Sequence, residues 1–146
     1  ELGVATLVPL VTQRGVAQPG DSAIERLRRT VIEAAKQCGR NRLMQLAQPQ
    51  AAREWFSQTP ALSRRLIAHP SGTSLAELGF SAAESTHLAI GPEGGFADEE
   101  VAAAIAAGWQ SVALGSRILR IETATITLAA AVALHQPTVV AKQIRP

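Results

Sequence analysis

The stretch HLAIGPEGGFADEEV, residues 87–101, decides the fold class. His87-Leu88-Ala89-Ile90 is a short apolar run and reads as a strand. It runs into Gly91-Pro92-Glu93-Gly94-Gly95, and Asp98, Glu99 and Glu100 then open a helix whose positive dipole end suits acidic groups. Val101, Ala104 and Ile105 supply the apolar face of that helix and Gly108 ends it. A strand feeding a glycine-rich loop and then a helix places a ligand crevice at the strand's C-terminal end. Glycines let backbone approach a ligand closely. The spacing is neither G-x-G-x-x-G nor a P-loop, and Glu93 with the acidic helix start repels phosphate, so a neutral or cationic ligand suits this loop better. On loop composition alone, a plain tight turn that needs glycine weighs equally.

The same arrangement recurs downstream. Ser111 to Leu114 is a further strand, Gly115 follows, and Arg117 and Arg120 flank an apolar pair. The arginines either meet an acidic partner, with Glu122 the nearest, or cover surface. Glu122 to Leu134, ETATITLAAAVAL, is a helix without a polar face, which belongs in a core or a subunit interface. Upstream, Val4 to Val11 reads as one buried strand, and Gln13 to Gly20 carries turn residues. Ser22 and Glu25 suggest a capping box for a helix with the stripe Ile24, Leu27, Val31, Ala34, Ala35 and Cys38, stopped by Gly39. Leu43 to Leu46 and Leu66 to Ala68 read as short strands, the second ended by His69-Pro70-Ser71-Gly72; Ala51 to Phe56 reads as one or two helical turns. Strands alternating with helices predict an α/β fold with a mainly parallel sheet. Residues 1–135 form one expected domain and residues 136–146 a loose tail.

Composition narrows the class less. Fourteen basic against twelve acidic residues leave a net charge of +2, too small to identify a nucleic-acid binder. The single Cys38 makes no internal disulfide, which points to a reducing, cytoplasmic setting, and it completes an apolar stripe, so it reads as core. No apolar stretch reaches membrane-spanning length, no signal peptide is evident, and the chain does not begin with Met. His69, His87 and His135 lack metal-ligand spacing, so no metal is expected. Trp55 and Trp109 read as packing residues, with an exposed position left open for Trp55. Arg26, Arg28, Arg29 and Lys36 read as a solvated helix face, whereas Arg14, Arg40 and Arg42, near loop ends, are candidates for phosphate contact.

IGPEGGFADEEV followed by LGSRILRIETA resembles the paired signature of the RsmE family, the 16S rRNA uridine-N3 methyltransferases. ELGV, PLVTQR, IEAAKQCGR and LIAHP agree with it, so the similarity runs from Glu1 to about Leu134. The resemblance implies a knotted α/β domain of the SPOUT class, a homodimer, 16S rRNA or the small ribosomal subunit as partner, and S-adenosylmethionine as cofactor. It assigns the cofactor to Ile90, Gly91, Glu93, Gly94, Gly95, Leu114, Gly115, Ile118, Leu119, Arg120 and Glu122, and RNA contact to Arg14, Arg40 and Arg42. Arg120 or Arg14 is the expected stabiliser of the uridine anion, and Glu93 the weaker candidate for proton acceptor. Ile121 stands where the family commonly has Thr, and Ala97 where it often has Ser, which removes a side-chain cap worth about 1 kcal/mol. Family members begin with a small RNA-binding β-barrel, then a strand and a helix; this chain is expected to start where that helix ends. Two other readings remain open: an RNA-binding module without catalysis, and a knot-fold methyltransferase acting on tRNA.

Overall fold

A computed structural model describes residues 1–15, 20–79 and 85–135. The expected tail, residues 136–146, lies outside the described residues, as does part of the turn region before residue 20.

The first strand is not one buried unit. Pro9 has no N–H to offer a ladder, and it divides the run into β1 (Thr6–Leu7) and β2 (Leu10–Val11). β1 pairs in parallel with β3 (Gln45–Leu46), and β2 with β4 (Gln50–Ala51). The Pro9 carbonyl still accepts from the Gln50 N–H at 3.0 Å. Val4 and Val11 remain exposed.

Between these strands lies α1 (Asp21–Gln37). Gly20 is its N-cap and makes no side-chain cap, so the expected Ser22–Glu25 capping box does not form. Gly39, at φ +68°, ends the helix as expected. The apolar stripe is largely uncovered: only Ala35 on it is buried, Leu27 is 39% exposed, and Cys38 is exposed rather than core. Arg28 and Lys36 pair with Glu25 and Glu33 one turn earlier on the same helix, as a solvated face does.

The central sheet is β6-β5-β7, all parallel: β5 (Arg64–Ser74), β6 (Thr86–Ala89) and β7 (Gln110–Ala113). The α/β class with parallel strands is therefore as expected. His69-Pro70-Ser71-Gly72 does not end β5; the strand continues through an irregularity, with both Ala68 and Thr73 registered on Val112. Gly72 permits this, because a Cβ there would stand 2.4 Å from the Val112 nitrogen.

Two clusters fill the interior. One joins α2 (Ala52–Gln58) and α3 (Asp98–Ala106) to the sheet through Phe56, Ile67, Phe96, Ala104 and Trp109. The rings of Phe56 and Trp109 meet edge-on at 5.2 Å, and the Trp109 indole N–H donates to the Phe56 carbonyl at 3.1 Å. Trp55 packs beside them, its ring tilted at 46° and 4.9 Å from that of Trp109, so both tryptophans are packing residues. The second cluster joins Leu66 and Val112 to Leu128 of α4 (Ile121–Ala133). Only Ala124, Leu128 and Ala129 of α4 are buried, while Ile126 is 61% exposed. The helix expected to be wholly covered thus shows an apolar face within a single chain.

His87, on β6, meets Trp55 edge-on at 6.2 Å. Burial lowers its pKa below 6.5, and the nearby Arg65 guanidinium lowers it further. The unfolded chain therefore binds the extra proton more readily than the folded one. Stability is expected to be full above about pH 6.5 and to fall as pH drops through the window below it. His87→Phe should flatten that part of a melting-temperature profile; an unchanged slope would show that other groups carry it.

Candidate active site

The parallel order puts the C-terminal ends of β6 and β7 at one end of the sheet, on either side of β5. The loop after β6, residues 90–97, is anchored at both ends: Ile90 packs against the Leu66/Val112/Leu128 cluster, and Phe96 is buried in the other cluster. Between the anchors, the Gly95 N–H closes a turn on the Pro92 carbonyl at 2.8 Å, with Gly95 at φ +68°. At Gly91 a Cβ would meet the Phe96 nitrogen at 2.9 Å, so the turn folds directly over it. Glu93 and Gly94 are exposed on its outer side.

The loop after β7, residues 114–120, starts from Leu114, which packs on the same cluster as Ile90. Hydrophobic contact thus brings the roots of the two predicted loops together. Gly115 adopts φ +123° with open space around it. Ile118 is 91% exposed, Leu119 is half-buried, and Arg120 is an exposed N-cap of α4, its carbonyl accepting from Ala124 at 2.9 Å. Glu122 is exposed in the first turn of α4. The expected ion pair between Glu122 and Arg117 or Arg120 is not among those found in the described residues; the surface reading of these arginines is the better one.

Arg14 joins the site from eighty residues away. Its Nη1 donates to the carbonyls of Gly94 at 3.1 Å and Phe96 at 3.2 Å, and its Nη2 lies 3.8 Å from Asp98. Half of its side chain stays accessible, at 49%. Arg40 is placed elsewhere, donating to the Gly3 carbonyl at 3.3 Å, and Arg42 is exposed in the connection between α1 and β3. Sequence reasoning missed Glu100, only 3% exposed, whose carboxylate accepts from the Ala97 N–H at 2.8 Å and the Gln13 N–H at 3.0 Å. The spacing of positions 97 and 100 is that of an N-cap and N3, and it was the available signal; Ala97 obscured it. No cluster of three potential metal ligands occurs among the described residues. No helix among them is long and apolar enough to cross a membrane.

A three-stranded parallel layer with two glycine loops at one end of its strands defines an α/β domain, and comparison with known proteins gives its kind. The RNA methyltransferase domain family matches residues 1–133, and the chain belongs to that family. Within it, the likeness is to ribosomal RNA small subunit methyltransferase E, the RsmE group. The Synechocystis sp. protein of that name is 39% identical over 137 residues, covering 88% of this chain and 45% of the relative. That of Buchnera aphidicola from Acyrthosiphon pisum is 29% identical over 130 residues, covering 86% and 51%. The Neisseria gonorrhoeae ribosomal RNA small subunit methyltransferase E, solved bound to S-adenosyl methionine, superposes with a TM-score of 0.83 at 30% identity, covering 92% of this chain and 56% of that one. The chain spans about half the length of the curated relatives it matches.

Proposed function

We propose that residues 1–135 are the catalytic unit of a cytoplasmic, S-adenosylmethionine-dependent methyltransferase that modifies N3 of a uridine in 16S rRNA, working as a homodimer with the knotted threading of the SPOUT class. The observation that carries this reading is the convergence of the two glycine loops, through Ile90 and Leu114, on one hydrophobic cluster. The residues present fit the cofactor. Gly91, Gly94, Gly95 and Gly115 would let backbone lie against it. Ile90, Leu114, Ile118 and Leu119 offer apolar surface to an adenine, and Glu93 and Glu122 favour a cation over a phosphate.

Bound there, S-adenosylmethionine supplies a sulfonium methyl as electrophile. The protein's own task is to hold the acceptor nitrogen in line and to manage its proton, and positioning supplies much of the rate. Uridine N3 must lose its proton, and the charge spreads onto the flanking carbonyl oxygens. Both contacts made by Nη1 of Arg14 go to loop carbonyls, which favours Arg120, exposed at the start of α4, as the group that meets that charge. Glu93, exposed on the loop, is the candidate proton acceptor. Arg40 and Arg42 are proposed as phosphate contacts.

Methylation of small-subunit rRNA against bulk tRNA, with the product nucleoside identified, tests the substrate. Activity on tRNA alone would overturn it, and cofactor binding without methylation of either would favour the non-catalytic reading. For the dimer, Ile126→Glu places a charge on the exposed face of α4. The variant should fold and show monomer mass by light scattering; wild-type dimer mass would rule this face out.

A further inference from the structure

We propose that Glu100 is a positioning residue whose buried carboxylate delivers Arg14 to the glycine loop, an inference that rests on that loop holding S-adenosylmethionine. A buried carboxylate is costly unless its oxygens are fully used. Here Oε2 accepts from Ala97 at the start of α3, and Oε1 accepts from Gln13, 87 residues away. Capping α3 needs only the first bond. The second fixes the backbone immediately before Arg14. Arg14 then lies along the loop: its Nη1 holds the Gly94 and Phe96 carbonyls, and a Cβ at Gly94 would stand 3.3 Å from its own Cβ. Glu100 thus ties one end of the cofactor loop to the Gln13–Arg14 segment, and Arg14 ties that segment back to the middle of the loop. The closed circuit sets where the Gly94 and Gly95 backbone sits.

The two roles of Glu100 separate experimentally. In Glu100→Gln the amide NH2 must face one of the two backbone N–H groups, donor against donor, so one bond is lost. Hydrogen bonds to charged groups are strong enough that S-adenosylmethionine affinity should fall at least about tenfold by titration calorimetry. Arg14→Gln should reproduce that loss with little change in melting temperature. Adding Ala97→Ser to Glu100→Gln restores a side-chain cap to α3 but not the bond to Gln13. It should recover melting temperature without recovering affinity. Exchange of the Gly95 amide, bonded to the Pro92 carbonyl at 2.8 Å, reports the loop without any ligand and should quicken in both Glu100→Gln and Arg14→Gln. Recovery of affinity and Gly95 protection by Ala97→Ser would reduce Glu100 to a helix cap and overturn the proposal. So would wild-type Gly95 exchange in both single variants. If the wild-type protein fails to bind S-adenosylmethionine, the functional reading falls, and Gly95 exchange alone decides whether the circuit exists.

Discussion

Gly115→Val is expected to leave a folded protein that no longer holds S-adenosylmethionine at useful concentrations. Gly115 sits at φ +123°, a conformation that a β-branched residue avoids. The surrounding space is open, with no neighbouring atom within 4 Å of the position a Cβ would take, so the substitution creates no clash in the core. The strain is instead relieved by the loop, which is exposed from Gly115 to Ile118 and free to settle into another shape. Holding the native shape would cost about 1–3 kcal/mol, a loss of roughly five- to 150-fold in affinity before any direct obstruction of the ligand. The measurements are a titration with S-adenosylmethionine and a melting curve. Unchanged affinity would show that this loop does not line the cofactor site; a collapsed melting curve would show that Gly115 serves the fold instead.

Phe56→Ala should have the largest effect on stability. Phe56 is fully buried and touches Trp55, Phe96 and Trp109 with ring centroids 5.2 to 6.0 Å away. Removing the ring leaves a cavity between α2 and the root of the glycine loop, at a cost of about 3–5 kcal/mol. That is a large part of the roughly 5–15 kcal/mol that holds an ordinary domain together. The melting temperature should fall by about 10 °C or more. Because Phe96 is the loop's buried anchor, cofactor affinity should weaken as well. A melting temperature within a degree or two of the wild type would mean that this cluster is not the centre of the core.

Local signals were enough for much of the chain. Apolar runs bounded by glycine marked the strands at 87–90 and 111–114, and 3.6-residue spacing marked α1 and α3, because those elements obey periodicities written into neighbouring residues. The glycine loops were legible too, since few residues other than glycine accept the conformations at Gly95 and Gly115, and the signature around them led to the RNA methyltransferase family. Other features depend on partners far along the chain. The β5 irregularity exists because Gly72 crosses the Val112 backbone, and a local reading of HPSG sees only a turn. The stripe on α1 reads as core by periodicity, yet periodicity says nothing about whether another element arrives to cover it. Arg14 and Glu100 show the difference most clearly. Arg14 was marked by its place near a loop end, and the spacing of positions 97 and 100 was a signal for Glu100, but neither signal says which groups these side chains meet. Those partners follow from the tertiary fold, because a hydrogen bond is a matter of a few tenths of an ångström, here between groups that the chain separates by eighty residues or more.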